Sequence, residues 1–175
     1  MQRRFLRNKK IMMQALTNEH RVSAPEDFPF SGIWRLQPEL SNYEFGISPR
    51  DGTYEVSLDS EDWLVITSRW SNVTGRFYEA NFEGVLGGGL FPYYSYEAAD
   101  ELYFEFVQPD ILRSAAFKNG IKVHWAERRL CDSGNLMTIK VFGLRAGRVY
   151  GNADVYKRVY SSSLEYAKKI NKNVF

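Results

Sequence analysis

From residue 30 onward, short apolar and aromatic runs alternate with turn-forming residues every eight to twelve positions or so, a rhythm that restricts the chain to an antiparallel sandwich or barrel. The runs cover residues 30–36, 53–58, 63–70, 76–82, 102–107, 111–117, 121–130, 136–142 and 148–159. Between them lie segments rich in chain-turning residues, such as Asp59-Ser60-Glu61-Asp62, Ser71-Asn72-Val73-Thr74-Gly75, Lys118-Asn119-Gly120 and Asp132-Ser133-Gly134. Asn119-Gly120 is the pair that a type I′ turn selects, because both central residues of that turn need positive φ. The strands flanking it are therefore expected to be hairpin neighbours. No long amphipathic helix separates the runs, which disfavours a parallel βαβ arrangement. Eight to ten strands in one chain are expected to close, since closure removes unpaired edges and leaves an interior that can hold one small ligand.

The two ends read differently. In the extension formed by residues 1–29, Met12, Met13, Ala15 and Leu16 permit a short helix, which Pro25 and Pro29 would end. At the other end, Ser162 and Glu165 have capping-box spacing, so residues 161–175 are expected to form a helix or tail after a barrel spanning 30–160. The basic residues Arg3, Arg4, Arg7, Lys9 and Lys10, and Lys168, Lys169 and Lys172, sit at these ends and read as solvated tails. A net charge of +2 gives no field that would draw nucleic acid, which is not expected as a partner. With Cys131 as the single cysteine, no intramolecular disulfide is expected, and a cytoplasmic location is the default. The segment Ile11-Met12-Met13-Gln14-Ala15-Leu16 is too short and too interrupted for a secretory signal, and no stretch approaches a membrane span.

Chemistry-bearing motifs are sparse. Two histidines, His20 and His124, with one cysteine do not suggest a metal site, and neither metal nor cofactor is expected. The run Gly84-Val85-Leu86-Gly87-Gly88-Gly89 lacks the Lys-Ser/Thr of a phosphate loop and leads into Phe91-Pro92. Acid–base candidates are His124, Tyr103 and Glu105, each on an expected strand. Aromatic residues make up 15% of the chain and spread over at least five expected strands, more than a tightly filled small barrel readily packs, so a cavity is expected. Candidate lining residues are Trp63, Trp70, Tyr78, Phe82, Phe104, His124, Trp125, Arg128 and Tyr156. Alternation leaves open which member of each neighbouring pair points inward. His124 and Arg128 share a face, and become polar anchors of an apolar pocket if that face is internal.

Gly32-Ile33-Trp34, Asp51-Gly52-Thr53-Tyr54, the segment 129–139 and the ending Val155-Tyr156-Lys157-Arg158-Val159 together resemble the calycin superfamily, specifically the lipocalin-like domains related to lipocalins and fatty-acid-binding proteins. The resemblance spans about residues 30–159 and implies a single antiparallel lipocalin-like barrel. It implies that Trp34 lies inside one end under an arginine of the last strand, Arg158 or else Arg148, as a structural floor. It also implies an Arg-x-Tyr carboxylate motif, matched by both Arg148-Val149-Tyr150 and Arg158-Val159-Tyr160. The expected function is binding of a small, mostly hydrophobic molecule of lipid, pigment or terpenoid kind by a monomer or homodimer. The alternative is an isomerase, cyclase or dehydratase enclosing such a molecule.

Overall fold

The computed structural model describes residues 28–94, 97 and 99–159. Each of the nine expected runs forms a strand, and two short pairings add to them: β1 (Gly32–Leu36), β2 (Asn42–Tyr43), β3 (Asp51–Leu58), β4 (Trp63–Ser71), β5 (Phe77–Val85), β6 (Phe91–Pro92), β7 (Glu101–Gln108), β8 (Ile111–Lys118), β9 (Ile121–Cys131), β10 (Leu136–Arg145) and β11 (Arg148–Val159). The turns explain the meander. Asn119 and Gly120 adopt φ of 52° and 75°, the pair of positive values that a type I′ turn requires, and they join β8 to β9. Asn72 organises the β4–β5 turn, its side-chain oxygen accepting from the Thr74 and Arg76 backbone amides at 3.0 Å each. Ala146 and Gly147 repeat the positive-φ pair between β10 and β11, at φ of 48° and 75°.

Every pairing of these strands is antiparallel, in the order β5-β4-β3-β1-β11-β10-β9-β8-β7-β6, with β2 added to β11. The short β1 sits mid-sheet because it pairs with both β3 and the last strand β11, bringing the two halves of the chain together. The ends of the sheet meet at β5 and β7 without a continuous ladder. Gly87 donates its amide to the Phe104 carbonyl at 2.9 Å, Tyr93 donates its hydroxyl to the Asn81 carbonyl at 3.3 Å, and the Phe104 ring covers Gly84. A side chain at Gly84 would start 3.2 Å from that ring, so glycine lets the seam close. The result is a near-closed antiparallel barrel.

One end is plugged. Trp34 and Phe30 are fully buried there with Leu112 and Met137, and the Trp34 indole donates to the Phe30 carbonyl at 3.0 Å. The Arg158 guanidinium lies 3.9 Å above the Trp34 ring and donates to the carbonyls of Gly134, Ser31 and Pro29 at 2.8, 2.7 and 2.6 Å. That arrangement accounts for the glycine two residues before Trp34. Gly32 has φ of 128°, and a Cβ there would sit 3.2 Å from Arg158 Nη1. The helices expected within 1–29 and 161–175 lie outside the described residues. Among the described residues, no helix is long and apolar enough to cross a membrane.

Candidate functional site

The site follows from strand parity. Residues directly paired across antiparallel strands share a face, so β9, β10 and β11 present four inward rows. From the open end to the plug these rows are His124–Gly143–Tyr150, Ala126–Val141–Asn152, Arg128–Ile139–Asp154 and Leu130–Met137–Tyr156. Most of these residues, with Trp70 and Phe82 from the β4–β5 side and Phe104 from β7, surround a cavity of about 340 Å³. Its wall is mainly apolar and aromatic, with a few polar groups, which is the usual make-up of a small-molecule pocket.

The first row brings two polar side chains together over a glycine. His124 Nε2 and the Tyr150 hydroxyl are 3.3 Å apart, and a Cβ on Gly143 would fall 2.5 Å from that hydroxyl and 2.6 Å from His124 Cδ2. Burial holds the His124 imidazole below its ordinary pKa, favouring the neutral ring.

The third row carries opposite charges. Arg128 is 5% exposed; its Nε donates to the Tyr54 hydroxyl at 2.6 Å and its Nη1 to the Ser114 hydroxyl at 3.0 Å. Asp154 accepts from the Tyr43 hydroxyl at 2.6 Å. Burial pushes the Asp154 carboxyl above the usual carboxylate range, opposed by the Tyr43 and Ser41 hydroxyls. Burial also raises the Tyr54 and Tyr156 phenols, so both remain neutral donors and acceptors. Their rings lie 5.5 Å apart.

Of the candidates read from the sequence, the structure brings Trp70, Phe82, Phe104, His124, Trp125, Arg128 and Tyr156 to the cavity. Tyr78 stacks on Trp70 at 5.4 Å, beyond the lining. Parity places Trp63, Tyr103 and Glu105 on the other face of their strands. Trp63 lies on the face of β4 opposite Leu64, Ile66 and Trp70, and is buried in a separate cluster with Val85 and Phe91. Tyr103 and Glu105 pair with Ala115 and Arg113 on the outer face, because their neighbours Leu102 and Phe104 take the interior. Trp125 borders the cavity wall, yet its ring stacks on Phe142 at 5.6 Å with the Lys122 ammonium 4.8 Å from its centre, on the face shared with Glu127 and Lys140. Neither arginine of the two Arg-x-Tyr matches lines the cavity. Arg148 is exposed and Arg158 is over Trp34, while Tyr150 does line it and Tyr160 lies outside the described residues.

Tyr54, Ser114, Asn152 and Asp154 also line the site and were missed. For Tyr54, Asn152 and Asp154 a signal existed in the chain. With Trp34 inside and Arg158 above it, residues 156, 154, 152 and 150 take the same inward parity, as does Tyr54 opposite Trp34.

No family model matches the chain, and no curated protein matches it. Solved structures do match. The fluorescent protein UnaG, at 14% identity and a TM-score of 0.52, aligns over 74% of this chain and 97% of its own. As-p18, an extracellular fatty acid binding protein, is 13% identical with a TM-score of 0.50, aligned over 75% of this chain and 96% of its own. With the plugged end, the row geometry and the meander order, these likenesses show that the chain has the lipocalin-like antiparallel barrel fold that these proteins share.

Proposed function

We propose that this barrel binds a small amphipathic acid, its apolar body against Trp70, Phe82 and Phe104 and its acidic head toward Arg128. The observation that carries the reading is Arg128 itself. It is a buried cation bordering an apolar cavity, with no carboxylate within ion-pair distance among the described residues. Burying a guanidinium without a counter-charge is costly, and a bound anion offsets that cost. Two neutral hydroxyls, Tyr54 and Ser114, hold the guanidinium in place while leaving its charge uncompensated. As-p18, which shares the fold, is named as a fatty acid binding protein, consistent with such an occupant.

Titration of the full chain with dodecanoic acid and with dodecanol, followed through tryptophan fluorescence, tests this. Trp70 lines the cavity, while the Trp125 ring stacks on Phe142, so Trp70 emission should change saturably, and Trp70→Phe should remove most of the response without abolishing binding measured by calorimetry. The acid should bind about tenfold or more tighter than the alcohol, and Arg128→Gln should erase that preference. Absence of any saturable binding across fatty acids, retinoids, tetrapyrroles and terpenoids would refute the pocket. For the reaction-vessel alternative, His124 is the one of its three candidates that faces the cavity.

A further inference from the structure

The cavity presents an acid as well as a base. Arg128 and Asp154 flank Ile139 in a single inward row, which places their Cα atoms two strand spacings, about 10 Å, apart. The row nearest the open end is built the other way. There a glycine lets His124 and Tyr150 lean together, whereas the buried Ile139 stands between the two charges. Each charge is also held by neutral hydroxyls and not by the other. Tyr54 and Ser114 hold the Arg128 guanidinium toward β3 and β8, and Tyr43 on β2 holds the Asp154 carboxylate on the far side of β11. Among the described residues the two form no ion pair with each other or with any other side chain.

Opposite charges buried along one wall and held apart cost desolvation without recovering mutual attraction. A ligand that bridges them recovers it at both ends. We propose that Arg128 and Asp154 form a two-point clamp selecting apolar acids that also carry a hydrogen-bond donor, a hydroxyl or N–H, a few bonds from the acidic group. The acid accepts from Arg128, and the donor gives its proton to an Asp154 oxygen in a hydrogen bond. Ile139 and the facing Tyr54 and Tyr156 rings fill the span between them. A plain fatty acid satisfies one end only and leaves Asp154 buried without a ligand partner. The clamp rests on the pocket proposed above, and adds to it a requirement that the pocket alone does not make.

The test uses dodecanoic acid and three hydroxy derivatives, with the hydroxyl near the carboxylate, at mid-chain and near the far end, each titrated calorimetrically into the full chain. At least one hydroxy acid should bind about tenfold tighter than the parent, since hydrogen bonds to charged groups are the stronger class. Its methyl ether, which fills the same space but cannot donate, should lose that advantage. Asp154→Ala should abolish the preference, so that within that variant the parent acid and the hydroxy acid bind equally well. Asp154→Asn keeps an acceptor for Tyr43 and should shrink the preference in a chain that folds even if the alanine variant does not. If the parent acid binds in an Arg128-dependent way and no hydroxy acid exceeds it, the clamp is wrong and the pocket stands. If no acid binds at all, both fall together.

Discussion

Gly143→Ala isolates the contact on which the open end of the cavity is built. A methyl group there would lie 2.5 Å from the Tyr150 hydroxyl, 2.6 Å from Tyr150 Cζ and 2.6 Å from His124 Cδ2, each about 1 Å inside ordinary contact. Both rings must swing away, and the 3.3 Å approach between His124 Nε2 and the Tyr150 hydroxyl is lost. Overpacking of this kind costs about 1–3 kcal/mol, and the hydrogen bond contributes about 0.5–1.5 kcal/mol more. Against this, alanine is favoured over glycine within a strand by about 0.5–1 kcal/mol, and Gly143 does not have the positive φ that would penalise a side chain. The net expectation is a loss of about 1–3 kcal/mol in urea denaturation. The decisive measurement is the same substitution in a His124→Ala/Tyr150→Ala background. With the obstructing rings removed only the strand preference remains, so the sign should reverse to a gain of about 0.5 kcal/mol. An equal loss in both backgrounds would show that backbone approach, and not these two rings, dictates glycine at this position.

Trp34→Ala should cost about 3–5 kcal/mol in urea denaturation, because it empties the plugged end and strips Arg158 of the ring beneath it; a nearly neutral result would contradict the floor geometry. His124 titrates below its ordinary 6.5 in the folded chain, so the unfolded chain binds its proton more readily; stability should fall as pH drops below about 6.5, and His124→Gln should flatten that part of the profile. Asp154 has the opposite sign. Its folded pKa lies above 3.8, so its contribution is most favourable in acid and is lost as pH rises through the folded value; Asp154→Asn should leave the ligand-free protein equally or more stable at pH 7 by thermal melting. A marked drop in melting temperature would mean that Asp154 serves the fold more than the ligand.

Nine of the eleven strands, and the hairpin pairing of consecutive ones, were legible in the chain. Turn chemistry at Asn72 and at Asn119-Gly120, together with apolar runs of strand length, is local information that sets the hairpins, and the likeness of Gly32-Ile33-Trp34 to a barrel opening rested on a glycine that the Arg158 contact explains. The two-residue strands β2 and β6 were not legible, since they exist only because tertiary packing lays a connecting segment beside β11 or β7. Pocket residues were legible as pairs of alternatives. A strand repeats every two residues, so its sequence names two faces and leaves the inner one open until another strand fixes the register. His124 and Arg128 share one face, and the structure turns that face inward, leaving Trp125 with Phe142, and Tyr103 and Glu105, together on the outer face. Asp154 carried no motif of its own. It became part of the site because β10 set Ile139 between it and Arg128, a relation between residues 26 positions apart that only the paired strands could decide.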